Sequence, residues 1–402
     1  MKMAIIGGGA AGFFAAINIA QKHPNWQVTI FEKSTKLLSK VKISGGGRCN
    51  VTHYCFEPKK LSLNYPRGQK ALYPIFKQFN PTHTLEWFEQ RGVAIKREAD
   101  NRMFPITDSS QTIIDTFLQE ARKNRVNIQL KKGLKKLEQL ANKRWKLIFD
   151  QNETLLFDKV LIATGSQPSV WKLLEQQLGL KIVSPVPSLF TFNCKDIRIN
   201  GLMGLSFPNA SIKVAGTKLQ ASGPLLITHW GMSGPAILRL SAWGARDLAE
   251  KNYDFQIIVN FLGDKKPEEI RSLILESKQS QAKKLANNIS MEGIPKRYWM
   301  KLMQLIEAKE TQRFGELSKK QTNKLIEEIA QATFQIKGKS TFKEEFVTSG
   351  GVNLAEIDMK TMQAKRFPNL YFAGEVLDID AITGGFNFQA CWSEAWVLSE
   401  NL

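Results

Sequence analysis

The chain has 402 residues, 43% hydrophobic and 23% charged, the balance of an ordinary globular protein long enough for two or three structural units. Four scattered cysteines (Cys49, Cys55, Cys194, Cys391) form no CxxC pair, which excludes a cysteine zinc cluster or a dithiol motif and fits a reducing cytoplasm. The net charge of +19 suits an anionic partner, but its lysines, such as Lys283, Lys284, Lys319, Lys320 and Lys324, are spread along helix-like stretches and form no compact Arg/aromatic patch, so nucleic acid is not the favoured partner.

In chain order, residues 3–7 are an apolar run ending in glycines, followed by a helical pattern over 10–21 and a second strand over 27–31. That is the β-α-β opening of a parallel sheet. Residues 1–20 also resemble a secretion signal, but Gly7, Gly8, Gly9 and Gly12 would break its helix. No later stretch has the roughly 18 apolar residues of a membrane span, so a soluble, cytoplasmic protein is expected. A glycine-rich basic segment fills 38–52, and helical patterns cover 68–79, 81–91 and 108–123. A strand over 126–130 precedes an antiparallel meander over 134–140, 145–149 and 153–157, then a buried strand over 159–163. Short β-like runs follow from 185 to 261, among them 211–214, 217–221 and 255–259. Residues 265–332 are lysine-rich and helical, broken at Gly293-Ile294-Pro295. From Glu344 glycine-punctuated strands return at 346–348, 351–352 and 370–373, before a last helix over 387–398. The middle therefore looks inserted between two ends of similar style.

Four glycine motifs carry the chemistry. Gly7-Gly8-Gly9-Ala10-Ala11-Gly12 follows a strand, opens a helix and is answered by Glu32 twenty residues after Gly12, the full dinucleotide fingerprint. Gly7 serves the tight turn, Gly9 the approach to a pyrophosphate and Gly12 the helix–strand packing, with the phosphates at the helix N-terminus. Glu32, followed by Lys33, is placed to accept from ribose hydroxyls, and its carboxylate disfavours the 2′-phosphate of NADP. The second motif runs from Lys40 to Asn50, where Ser44, Gly46, Gly47, Arg48 and Cys49 join Lys40 and Asn50 as cofactor contacts around backbone that can pass close to a flat ligand. The Cys49 thiol is read as an inert small side chain. The third is Ala163-Thr164-Gly165, which closes a strand beside the cofactor, with Leu134 of the meander as a further contact. The fourth joins Gly374, Glu375 and Asp378 to Gly384, Gly385, Phe386 and Asn387. It would set the Glu375 carboxylate on the ribityl hydroxyls of FAD and a helix N-terminus on the N1–C2=O edge of the ring. The N-terminal glycines alone allow NAD or FAD; the C-terminal motif favours FAD. No second G-x-G-x-x-G appears, so NAD(P)H, if it is the donor, binds transiently. No metal-ligand cluster is present.

These motifs, with Ser44–Thr52, the Leu226–Pro235 run around Thr228-His229-Trp230-Gly231, and Val347–Val352, resemble the BaiN/RdsA family of FAD-dependent flavoproteins, NAD(P)/FAD-dependent oxidoreductases, over nearly the whole chain. The resemblance implies an α/β fold: a split Rossmann-type, two-dinucleotide-binding FAD domain (1–190 and 342–402), an inserted β-rich domain (191–263) and a small helical domain (264–341). It implies non-covalent FAD and hydride exchange with a small or medium organic substrate, including NAD(P)H-linked reduction of a carbon–carbon double bond. Amine oxidation within the family, or flavin-dependent tRNA modification, is the alternative. Two departures fall near the expected cleft: Gly165 is followed by Ser166-Gln167-Pro168, and Gly223-Pro224 stands where the family carries a glutamate. For catalysis the candidates are His229, one of four histidines, as an acid–base group, and Arg48 as an anion stabiliser.

Overall fold

The computed structural model describes residues 1–263, 265–340 and 347–402. The expected domain edge at 341/342, the return at Glu344 and the strand residue Phe346 lie outside the described residues. The chain divides into two compact units, Met1–Val186 with Lys343–Leu402, and Pro187–Phe342.

In the first unit five parallel strands lie in the order β5-β4-β1-β2-β3: β1 (Lys2–Ile6), β2 (Gln27–Glu32), β3 (Asn127–Leu130), β4 (Lys159–Ile162) and β5 (Leu370–Phe372). Ile5 pairs with Ile30 on one side and Leu161 on the other, and Leu161 pairs with Tyr371, so the last strand of the chain docks beside the first ones. Ile357–Asp358 and Gln363–Ala364 add two short antiparallel strands at that edge. Four of the five β1 residues are buried, the continuous apolar run of a strand covered on both faces.

Helix α1 (Ala10–Lys22) buries ten of its thirteen residues. It is apolar on all sides because it packs both on the sheet and on the final helix, α3 (Phe386–Glu400). Phe14 of α1 meets Phe79, Trp87 and Trp392 at ring distances of 5.7, 4.7 and 5.3 Å, so truncating it to alanine should cost about 3–5 kcal/mol. A short helix, α2 (Ser39–Gly47), carries the glycine-rich segment. The antiparallel meander is present as Leu134–Gln139, Trp145–Phe149 and Thr154–Phe157, and Phe149 stacks on Phe31 of β2 at 4.4 Å.

The second unit is a seven-stranded antiparallel sheet in the order Ala332–Lys337, Asp254–Asn260, Ser206–Val214, Gln220–Ile227, Gly231–Ser233, Thr191–Asn193, Lys339–Ser340. Helices Pro267–Ser280, Lys296–Leu305 and Lys319–Ala330 share one hydrophobic core with it, which includes Phe207, Phe261, Tyr298, Trp299 and Phe334. The strand-rich and helical segments are thus one packed body.

Four elements differ from expectation. Pro168–Leu178 and Pro235–Trp243 are helices, and each has its proline in the first turn, where the missing N–H costs nothing. Ala332–Lys337 is a strand with every second residue buried, an alternation masked by the lysine-rich helices before it. Residues 217–219 form a turn instead of a strand: Gly216 adopts φ +70°, and Thr217 Oγ1 donates to Val214 O and accepts from Leu219 N, both at 3.0 Å. No helix among the described residues is long and apolar enough to cross a membrane.

Candidate functional site

The turn between β1 and α1 contains two kinds of glycine. Gly7 has φ +117°, and a Cβ on it would fall 2.4 Å from Ala163 O; one on Gly12 would fall 2.1 Å from Gly7 O. Both positions are closed by backbone. Gly9 is different. It caps α1 in an extended conformation, and a Cβ there would meet nothing within 4 Å. No side chain caps this N-terminus, and its first turn holds no acidic residue. Its first N–H groups therefore have no side-chain acceptor, and with the positive end of the helix dipole and the open space at Gly9 they make a ready anion site. Ala10 and Ala11 form the first turn above it.

Glu32 ends β2 with both carboxylate oxygens anchored: Oε2 accepts from Gly8 N at 2.9 Å and Oε1 from Ser34 N at 2.8 Å. Each oxygen keeps a further lone pair for a ligand hydroxyl. Beside it, Lys132 N donates to Glu32 O at 2.9 Å, which brings the half-buried Leu134 to the same edge. Lys33 is exposed, with its ammonium on Gln167 Oε1 at 2.5 Å. Ala163 continues the ladder from β4, donating to Ile6 O at 2.8 Å. Thr164 Oγ1 is closed off from solvent and has no hydrogen-bond partner, next to Gly165, whose missing Cβ faces open space at φ +62°.

The α2 segment ends in three consecutive left-handed glycines, Gly45, Gly46 and Gly47, at φ +59°, +70° and +84°. Gly45 is blocked by the Phe104 ring, whereas a Cβ on Gly46 meets nothing within 4 Å. Ser44 Oγ turns back on Val41 O at 2.9 Å. Arg48 does not project freely: its guanidinium lies 4.0 Å over the Phe104 ring and bonds Glu98 at 2.5 Å and Asp108 at 3.4 Å. Cys49 is fully buried, and desolvation pushes its thiol up to about 12, so it stays a protonated, unreactive group at neutral pH. Asn50, with its amide turned to satisfy both ends, accepts from Gly385 N and donates to Thr52 O, both at 2.9 Å. This ties the glycine loop to the start of α3.

The C-terminal motif folds around that helix start. Lys40 of α2 forms an ion pair with Glu375, and Ser166 Oγ donates to the same carboxylate at 3.4 Å. Asp378 N donates to Val352 O at 3.0 Å, and Asn387 Oδ1 accepts from Ala381 N at 2.9 Å. Gly384 and Gly385 are closed positions: a Cβ on Gly385 would strike Thr52 O at 2.6 Å.

Three residues here had no sequence signal. His53 shares a hydrogen bond with Gly384 O at 3.0 Å and stacks on Phe386 at 4.4 Å; burial lowers its pKa. Arg67 pairs with the fully buried Asp380, Nε to Oδ1 at 2.5 Å. Glu394 of α3 is fully buried and accepts from Gly374 N at 2.5 Å. The His53–Gly384 and Arg67–Asp380 contacts join positions more than 300 residues apart, and Glu394 reaches back to Gly374 from 20 residues further along the chain.

His229 belongs to the second unit, exposed in the turn between Gln220–Ile227 and Gly231–Ser233. It borders a groove of about 670 Å³ with Lys195, Met203, Thr228 and Arg297. The neighbouring Trp230 is 63% exposed. No group of residues among those described could hold a metal ion.

Fold and turns together define a Rossmann-type dinucleotide-binding protein of the architecture used by FAD-dependent dehydrogenases and reductases. The chain belongs to the family described as HI0933-like protein Rossmann domain, whose model matches residues 1–401, so the resemblance drawn from the glycine motifs holds along the whole chain. It is 28% identical to the ribosomal RNA dihydrouridine synthase of Escherichia coli over 99% of this chain and 97% of that one. It is 25% identical to the 3-dehydro-bile acid delta(4,6)-reductase of Clostridium scindens over 98% of this chain and 97% of that one. Among solved structures it is similar in fold to the 3-ketosteroid-delta4-(5alpha)-dehydrogenase of Rhodococcus jostii, with a TM-score of 0.52 at 11% identity over 100% of this chain and 96% of that one.

Proposed function

We propose that the chain is an FAD-dependent oxidoreductase that adds hydrogen across an activated carbon–carbon double bond, and that this bond belongs to a uracil base in RNA. The observation that carries the cofactor is the pairing of an uncapped, open helix start at Gly9 with the anchored Glu32 carboxylate. The open Gly46 and Gly165 and the partnerless Thr164 hydroxyl fit the same bulky, polar ligand.

When bound, FAD supplies the hydride transfer. The chain's own residues then have separable tasks. The N–H groups of Gly9 to Gly12 bind the pyrophosphate, and Glu32 accepts from the ribose. Gly46 and Gly47 let backbone lie close to the ring, and the Lys40–Glu375 pair holds the segment expected to meet the ribityl chain. Arg48 braces the loop from behind through Phe104, Glu98 and Asp108.

The reaction type is supported by the two relatives. A dihydrouridine synthase and a delta(4,6)-reductase have different substrates, but both names imply saturation of a double bond conjugated to a carbonyl. RNA as the substrate is supported by the likeness to the ribosomal RNA dihydrouridine synthase; the net charge of +19, spread and not gathered in a patch, suits a polyanion without by itself selecting one.

The test is anaerobic. NADH and NADPH are added separately to the yellow protein, and the bleached form is offered ribosomal RNA lacking dihydrouridine, free uridine and a steroid enone. Return of the yellow colour with RNA, with bases heavier by two hydrogens, is the expected result. Return only with the enone would move the proposal to a small-molecule reductase, and no return with any of them would refute double-bond reduction.

A further inference from the structure

Glu394 plays no part in the function just described, yet it occupies an unusual position. Strand β5 leaves the ladder after Ala373, which donates to Ile162 O at 3.2 Å. Gly374 then turns left-handed at φ +83°, and its N–H has no strand to pair with. Glu394 supplies the acceptor from α3, with Oε2 at 2.5 Å. The carboxyl is 0% exposed, and its other oxygen, Oε1, has no hydrogen-bond partner. Gly374 itself lies against the glycine turn: a Cβ on it would be 3.1 Å from the Ala11 methyl and 3.4 Å from Cys391 Sγ.

An ionised carboxylate in this place would keep one bare oxygen in a dry interior, supported by a single N–H. The charged and titratable groups around it do not help. Glu375 adds a second negative charge one residue from the anchored amide, and its partner Lys40 is already engaged with it. Cys391 on the same helix is buried and protonated, and the buried Tyr65 hydroxyl is committed to Phe386 O at 2.6 Å. The proton therefore stays on Glu394. Burial first, and Glu375 after it, push the carboxyl up to about 8.

We propose that Glu394 is a positioning residue for FAD, whose neutral carboxyl holds the Gly374–Glu375 turn against the start of α1 and makes retention of the cofactor proton-dependent. The inference rests on the FAD reading above. A pyrophosphate at the Gly9–Gly12 turn is an anion close to Gly374, so ionising Glu394 disfavours both the turn and the ligand beside it. The sign follows: FAD is held firmly while the carboxyl is protonated and loosens as pH rises through its midpoint. The loss is about tenfold in affinity for each unit by which bound FAD raises that midpoint.

The experiment follows release of FAD from the purified holoprotein by flavin fluorescence, from neutral pH to a unit or two above the midpoint. Wild type should hold FAD at a constant affinity until about pH 8 and lose it above. Glu394→Gln, which keeps a neutral acceptor for Gly374 N–H, should hold FAD at neutral pH and show no loss on raising pH. Glu394→Ala should release FAD more readily at every pH. A flat wild-type profile, or the same slope in Glu394→Gln, overturns the inference. Independently of any variant, the infrared carbonyl band of a protonated carboxyl should vanish over the same pH range in wild type; its absence at neutral pH also overturns the inference. Wild-type protein that carries no FAD and takes none up at any pH refutes the FAD reading itself, a distinct failure.

Discussion

The β1–α1 turn and the α2 loop are both rich in glycine, but their glycines are there for opposite reasons. Gly7, Gly12 and Gly45 are places where a methyl group would collide with backbone or with a ring already present. Gly9 and Gly46 are places where it would meet nothing. Glycine is needed at the first set to build the fold. At Gly9 the backbone conformation tolerates any residue, so the fold alone gives no reason for glycine there. The open space at Gly9 instead leaves room for the ligand proposed above. The contrast separates folding determinants from binding determinants within a single motif, and substitutions can test it position by position.

The largest effect on the folded state is expected at Gly12. Its Cβ would sit 2.1 Å from Gly7 O, so Gly12→Ala must push α1 off the central strand or open the turn. A loss of more than about 3 kcal/mol is expected, read as a lower urea midpoint with unchanged slope. A midpoint within error of wild type would show that α1 slides without cost and would erase the distinction between the two kinds of glycine.

Glu32→Ala comes next. It removes the acceptor for both Gly8 N and Ser34 N and should cost about 1–3 kcal/mol in stability. It should also weaken FAD by about 1–3 kcal/mol through the ribose, roughly tenfold to a hundredfold. Equilibrium unfolding and FAD titration report the two losses separately. A stability loss with unaltered FAD affinity would mean that Glu32 serves the turn alone.

The spacing of Gly7, Gly9, Gly12 and Glu32 was legible because it is local: a strand, a turn and a helix within about thirty residues constrain one another. That the end of the chain rejoins the first domain was legible too, since Gly374-Glu375 and Gly384-Gly385 mark a strand end and a helix start, but its pairing with β4 was not. What could not be read was contact across the chain. Glu394 lies in Cys391-Trp392-Ser393-Glu394-Ala395, where a glutamate normally marks the solvent face, and it is the packing of α3 against α1 and other elements that buries it. Asp380 with Arg67, and Asn50 with Gly385, are pairings that no periodicity encodes. Arg48 was legible as a charge next to glycines but not as one held by Glu98 and Asp108, since those carboxylates come from two turns on either side of the strand Arg102–Pro105. The helices after Pro168 and Pro235 were hidden because proline marks both a helix start and a loop.

Gly46→Ala has a smaller effect on stability. The residue sits at φ +70° with open space at its Cβ position, so the cost is backbone strain alone, about 1–2 kcal/mol. If the loop passes close to the cofactor, FAD affinity should fall by more than this strain accounts for. Equal losses in stability and in FAD binding would reduce the loop to an ordinary turn.

Gly9→Ala should perturb the fold least and test the site most sharply. Gly9 has φ −98°, a conformation open to any residue, and no neighbour within 4 Å of the added methyl. Stability should stay within about 0.5 kcal/mol of wild type, the range of a surface substitution. Binding should not. The methyl would stand at the mouth of the uncapped α1 start, where a pyrophosphate must come within hydrogen-bond distance of the N–H groups, and that approach has no slack. The expected pair of results is an unchanged urea midpoint and protein purified without its yellow colour. Gly12→Ala gives the complementary pair, a lowered midpoint whose FAD loss follows from unfolding. Were Gly9→Ala to keep both its stability and its flavin, the open space at the head of α1 would have no ligand to explain it, and the anion would have to bind elsewhere on the sheet.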